Sequence, residues 1–204
     1  MTPEELASKG ERTRAAILDA AYDLFLRQGY SATSMRQIAE GAGIALGGIY
    51  NHFASKDEIF QALIIDKHPY MQILPVLQDA PGETIEEFIR NASRLVQAEM
   101  GRQPGFIKLM FIEIVEFNGR HFPKVLEIVF PLAYPLVQRF ISPGSGVRQD
   151  IPTPYLIRAF MGSIMAFYLT DFLVGEASVP PGIGNMKLED FMEIFMRGIL
   201  EARD

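Results

Sequence analysis

Cysteine is missing from all 204 residues, so no disulfide framework, thiolate nucleophile or zinc–thiolate site can be built. Histidine is scarce, with only His52, His68 and His121. Neither His68 nor His121 has a partner at metal-ligand spacing; both read as structural, and no metal or cofactor is expected. There is no G-x-S-x-G, no H-E-x-x-H and no phosphate loop, so an enzyme is not expected. Residues 1–14 carry Glu4, Glu5, Lys9, Glu11, Arg12 and Arg14 without an apolar run, which argues against a signal peptide. The longest uncharged apolar stretch, Ala159 to Thr170, is short for a bilayer and reads as a core helix. A cytoplasmic chain with no membrane segment is the expectation. Proline is almost absent early: of thirteen, only Pro3 precedes residue 59, whereas eight of the ten methionines follow it. That shift divides the chain into residues 1–56 and 57–204.

What is present starts with the run from Thr33 to Lys56. It predicts two short helices joined by a glycine turn, then the start of a third. Thr33 is the expected N-cap, and Met35, Ile38 and Ala39 share one face. Gly41 and Gly43 end the first helix by admitting the left-handed conformation. The second helix, about Ala45 to Phe53, turns Ile44, Ile49 and Phe53 inward. Leu46, Gly47, Gly48, Tyr50, Asn51 and His52 are left facing out or sideways. This is a helix-turn-helix pattern, whose second helix can enter a DNA major groove. Gly47 and Gly48 each cost about 1 kcal/mol relative to alanine. Either the backbone must approach a ligand closely, or tertiary packing holds a short helix whatever its propensity. Tyr50, His52 and Lys56 can all bond phosphate oxygens, which sets register on a duplex without reading sequence. Ser55 to Glu58 has the form of a capping box and places Lys56 in the first turn of the next helix. The plainer alternative makes Tyr50 a core aromatic and His52 a solvated side chain.

The run from Arg14 to Lys56 resembles the DNA-binding domain of the TetR (tetracycline-repressor-like) family. The matching pieces are Ile17-Leu18, Ala21, Leu24-Phe25, Gly29-Tyr30, Thr33-Ser34, Ile38-Ala39, Ala42-Gly43, Gly47, Ile49-Tyr50, His52-Phe53 and Ser55-Lys56. The resemblance implies an all-helical homodimeric transcription regulator, usually a repressor, released from a palindromic operator by a small ligand. The DNA contacts it implies are Arg14, Thr33, Ser34, Arg36, Ala45, Leu46, Gly47, Gly48, Tyr50, Asn51, His52 and Lys56. One departure stands out. The family's second helix often begins Ser-Lys-Gly-Thr, and here it begins Ala45-Leu46-Gly47-Gly48. Ala45 is a poor cap, and Leu46 offers a base edge only an apolar contact, such as a thymine methyl.

The rest of the chain reads as all-α, with about nine helices in total. The first spans about Glu11 to Gln28, with Gly29 ending it and Tyr30 packing back. A helix from Lys56 to about His68 stops at Pro69. One capped by Thr84 with Glu87 buries Ile85, Phe88, Ile89, Ala92, Leu95 and Val96. The next, from near Pro104, is apolar almost all round and therefore buried on most sides. Pro131 and Pro135 should kink or split a helix between Pro123 and Phe140. The last two, Pro154 to Val174 and Lys187 to Arg203, read as an association surface. Paired with a symmetry mate they would make the four-helix bundle that the resemblance also implies, through Ala159, Gly162, Ala166, Thr170, Phe191, Phe195 and Ile199. The alternative packs both into the subunit core. An apolar effector pocket would draw on Phe88, Phe106, Met110, Glu113, Phe117, Tyr134, Met165 and Tyr168, although such stripes also suit plain core. Glu113 either meets the ligand or pairs with Arg158 or another internal base, and Glu116 pairs with Arg120. A helical DNA-binding or interaction protein without an inducer is the competing reading.

Charge tests the DNA reading. The chain carries a net charge of −6, and residues 1–58 hold six basic against eight acidic side chains. Phosphate attraction must then come from local placement and helix N-termini, giving few ion pairs per subunit. A plot of log affinity against log salt concentration should have a slope shallower than about −10.

Overall fold

The computed structural model describes residues 8–78, 80–102, 105–174 and 187–200, and among them there are ten helices and no strand. Contacts divide the chain into two units, Met1–His68 with Lys108–Leu126, and Pro69–Ile107 with Glu127–Asp204.

In the first unit, α1 (Lys9–Gln28) opens on a reciprocal capping box between Ser8 and Glu11, two residues before the expected start. Gly29 closes it with φ 82°, and the Tyr30 ring returns to Phe25 at 5.4 Å, as expected. Its stripe Ile17, Leu18, Ala21 and Phe25 is buried. α2 (Met35–Gly41) is capped by Ser34, not Thr33. Ser34 lies three residues before Gln37, whose amide oxygen returns to the Ser34 N–H, so two orphan donors are met at once. Thr33 instead is buried, with its hydroxyl donating to the Gly29 carbonyl. The two glycines at the end of α2 differ in purpose. Gly43 has φ +67°, whereas Gly41 faces α1, where an added Cβ would come within 3.1 Å of Ala20 Cβ.

α3 (Leu46–Ile49) is a single four-residue turn, shorter than the expected run to Phe53. Beyond it the chain continues as tight turns in which Asn51 and His52 N–H groups bond the carbonyls of Gly48 and Ile49. Two glycines and an uncapped Ala45 leave little propensity for more. α4 (Lys56–Asp66) is capped by Ser55 and buries Ile59, Phe60, Leu63 and Ile64 against α1.

The second unit opens with α5 (Tyr70–Gln78), for which the sequence had suggested no helix. α6 (Ile85–Gly101) carries the expected Thr84–Glu87 capping box. α7 (Phe106–Phe117) contributes only its first two residues to this unit, and the expected start at Pro104 lies outside the described residues. α8 (Phe122–Ile141) is one helix and is not split by Pro131 or Pro135. Both prolines are exposed, so water can take up the carbonyls that lose their partners. α9 (Thr153–Val174) and α10 (Leu188–Ile199) complete the set, with Arg203 outside the described residues. α10 packs on α6 and α9. Leu188, Met192, Met196 and Ile199 meet a buried α6 face of Phe88, Ile89, Ala92 and Val96. Arg94 to Glu189 and Arg90 to Glu193 pair across its rim.

The glycines allow a direct stability test. Gly43→Ala places a Cβ in a left-handed conformation and should lose about 1–2 kcal/mol. Gly47→Ala places one in open space and should gain up to about 1 kcal/mol in urea melts.

Candidate nucleic-acid interface

The first unit presents an exposed face on α3 and the turn after it. Ile49 and Phe53 are fully buried beneath it, while Ala45, Leu46, Gly47, Tyr50 and Asn51 are exposed. Leu46 is 43% and Tyr50 53% accessible. Tyr50 is therefore not a core aromatic. Gly48 and His52 are half-buried at the edge. A Cβ at Gly47 would touch nothing within 4 Å, so the protein's own packing does not demand a glycine there. Arg14 is exposed, with its guanidinium 4.9 Å from the Phe53 ring centre. Arg36 is exposed and paired with Glu40 at 3.2 Å. The Ser34 hydroxyl is bound up in its cap.

Lys56 does not project as a free phosphate contact. Its ammonium donates to the carbonyls of Tyr30 at 2.6 Å and Thr33 at 2.5 Å, and lies 4.1 Å from the Tyr30 ring centre. Burial lowers its pKa, against an opposing influence from Glu116. Around it stands a cluster of rings that no local spacing announces. Tyr30, Phe60 and Phe117 meet with centroids 4.6–5.4 Å apart, and His121 joins Phe117 at 4.7 Å. Ser31 donates to Glu116 at 2.5 Å, and Arg120 pairs with Asp57. Glu113 is fully buried, and its two oxygens take the backbone N–H and Nδ1 of His121, each at 2.8 Å. Glu113 thus pairs with an internal base, His121 rather than Arg158, whereas Glu116 takes Ser31 of the Tyr30 loop where Arg120 was expected.

The proposed effector residues fall on both units. Met110, Glu113 and Phe117 belong to the first; Phe88, Phe106, Tyr134, Met165 and Tyr168 belong to the second. Phe88 and Phe106 are buried, whereas Tyr134 and Met165 are exposed. The Tyr168 hydroxyl is buried without a hydrogen-bond partner, and burial, followed by the charge of Asp171, raises its pKa. A separate cavity of about 590 Å³ is lined by residues 83–86, Arg139, residues 142–146 and Leu200, none of them on that list.

The association stripe is divided. Ala159, Gly162, Ala166 and Thr170 are exposed along α9, while Phe167 on the other side is buried. Phe191 and Phe195 turn inward, meeting Phe167 and Phe160 at 6.0 and 5.8 Å, and Ile199 is buried. In their place α10 exposes Ile194, 71% accessible. By length and composition α9, at 22 residues, could cross a membrane, which its apolar stretch alone had not suggested.

Residues 17–63 match the family model described as bacterial regulatory proteins, tetR family. The HTH-type transcriptional regulator SrpR of Pseudomonas putida is 42% identical over 64 residues, 31% of this chain and 30% of that protein. The HTH-type transcriptional repressor KstR2 of Mycobacterium tuberculosis is 39% identical over 61 residues, 30% of each. The chain thus aligns with about a third of the length of these relatives. Solved structures extend the likeness in fold. NalD of Pseudomonas aeruginosa, described as the secondary repressor of the MexAB-OprM multidrug efflux pump, has a TM-score of 0.72 at 21% identity, covering 97% of this chain and all of that one. GusR of Salmonella enterica has a TM-score of 0.74 at 17% identity, covering 96% and 98%. Over residues 17–63 the chain thus matches the TetR family of bacterial regulatory proteins, and along its length it shares the fold of these solved structures.

Proposed function

We propose that the protein is a DNA-binding transcriptional regulator that represses as a homodimer on a palindromic operator and is released by a small hydrophobic or aromatic effector. The observation that carries this reading is the exposed face of Ala45, Leu46, Gly47, Tyr50 and Asn51 over a buried Ile49 and Phe53. Such a face has nothing to do inside the unit, and its glycine lets a backbone approach a groove wall. Tyr50 and Asn51 suit phosphate and base edges, Leu46 a thymine methyl, and Arg14 and Arg36 the flanking phosphates. Repression is the role described for KstR2 and NalD.

Dimerisation is supported by the bare α9 stripe of Ala159, Gly162, Ala166 and Thr170 beside Ile194, where small residues admit a second helix pair. Two reading heads about 34–36 Å apart would enter successive major grooves, and an effector that displaces α4 would put them out of step. The unpartnered Tyr168 phenol would give an effector one hydrogen bond among apolar walls. We place the protein in the cytoplasm, with the reading head at 1–56 and the effector and dimer functions at 57–204. A regulator of the same fold without an inducer draws support from the exposure of Tyr134 and Met165.

Selection from random duplexes should recover an inverted repeat with half-sites about one helical turn apart. Tyr50→Ala should cost about 1–3 kcal/mol of binding. Gly47→Ala should weaken binding while stabilising the fold. A Gly47→Ala protein that binds at full strength, or a pool without sequence preference, would refute the assignment of this face.

A further inference from the structure

The turn from α7 to α8 holds a buried imidazole between carboxylates that come from two different elements. His121 is 3% accessible. On one side stands Glu113 of α7, 2.8 Å from Nδ1. On the other side Nε2 makes no hydrogen bond among the described residues and faces the Asp57 carboxylate of α4 at 3.5 Å. Asp57 also holds Arg120, and the rings of Phe117 and Phe60 flank the imidazole. Tyr30, Lys56 and Glu116 are the next ionisable groups, since Tyr30 senses Asp57, Arg120 and Glu116, and Lys56 senses Glu116.

A neutral ring has one N–H for two carboxylates. With its proton on Nδ1 it serves Glu113 and points a lone pair at Asp57; the other tautomer reverses the defect. Only the imidazolium offers a donor to each. We propose that protonated His121 is a positioning residue, clamping Asp57 and the first turn of α4 so that the reading helices α2 and α3 are held for DNA, and that losing the proton weakens DNA binding. This rests on the DNA-binding reading above. The route is short: Lys56, next to Asp57, holds the carbonyls of Tyr30 and Thr33, immediately before the Ser34 cap of α2. The sign follows from the donors. Both donors are present only while the ring is charged, so removing the ring proton by raising the pH takes one of them away.

Two other histidines could confuse a pH profile. Burial pushes His68 down to about 4, so it stays neutral across the window. His52, beside the reading face, is present in every protein compared, so its contribution cancels. The full-length wild type, His121→Gln and Asp57→Asn are compared at about pH 6 and about pH 8. The readouts are melting temperature and anisotropy with a duplex recovered from a random library by the wild type at the lower pH. Wild-type affinity should fall on the order of fivefold across this interval, and its melting temperature should fall with it. Both variants should show weakened binding at the lower pH and flatter slopes. Should His121→Gln fail to fold, Asp57→Asn decides alone, because its side chain is partly exposed. Equal slopes in wild type and variants overturn the proposal, and so does a pH-dependent melt with pH-independent DNA affinity. If no duplex is recovered, the DNA reading has failed, and the melting slopes alone decide whether the clamp exists.

Discussion

One ammonium group, partly withdrawn from water, sets the geometry of the reading end. Lys56 gives up solvent to bond two carbonyls, one on each side of the residues that lead into α2. Hydrogen bonds involving a charged group are worth about 1.5–3 kcal/mol, enough to hold a loop with little regular structure. The loop needs it, because Ser31 and Ala32 are exposed and only Thr33 is buried. With Thr33 held, Ser34 can cap α2, and α2 carries α3 through the left-handed Gly43. α3 has only four residues and cannot fix its own orientation. Its place is inherited from that chain of contacts and from the burial of Ile49 and Phe53.

The same anchor explains why residues 108–126 belong with the first unit. Phe117 fills the space between Tyr30 and Phe60, and the α7–α8 turn brings Arg120 and His121 to Asp57. Asn118 and Gly119 make that turn, both at positive φ, so His121 comes back onto Glu113. An amino-terminal reading domain is thereby completed by a segment some fifty residues further along. A regulatory signal needs a physical attachment to the reading helices, and these ionic and aromatic contacts provide one within a single unit.

The second unit follows a different economy. α10 is strongly two-faced: four apolar residues face α6, and the rim is paired by Arg90 and Arg94 with Glu193 and Glu189. α9 is apolar over most of its surface, yet only Leu156 and Phe167 are fully buried. Exposed apolar surface of this extent on a long helix calls for a cover, and small residues along its middle fit a close helix neighbour better than lipid.

Much of this was legible from residue order, because it depends on neighbours a few positions apart. The Ser55 cap, the capping box at Thr84, the Gly29 stop, the inward Ile49 and Phe53 and the all-helical class are all matters of spacing, although Glu58 takes the N–H of Ala54 where a full box would take that of Ser55. Near misses arose where two local choices compete, as with Thr33 and Ser34 for one cap, or where exposure decides, as with prolines that a helix tolerates on its wet side. Periodicity marked Phe191, Phe195 and Ile199 as apolar without saying which neighbour they meet, and they turned inward. The partners of Lys56, Glu113, Glu116 and Arg120 were out of reach for the same reason. A charge several angstroms from its nearest sequence neighbours pairs with whatever packing brings close, and that is set by the burial of Phe60 and Phe117, not by any local pattern. The order of residues determined which helices form and which faces are apolar. Tertiary packing decided which charges meet across elements, because it is the exclusion of water around buried rings that selects those partners.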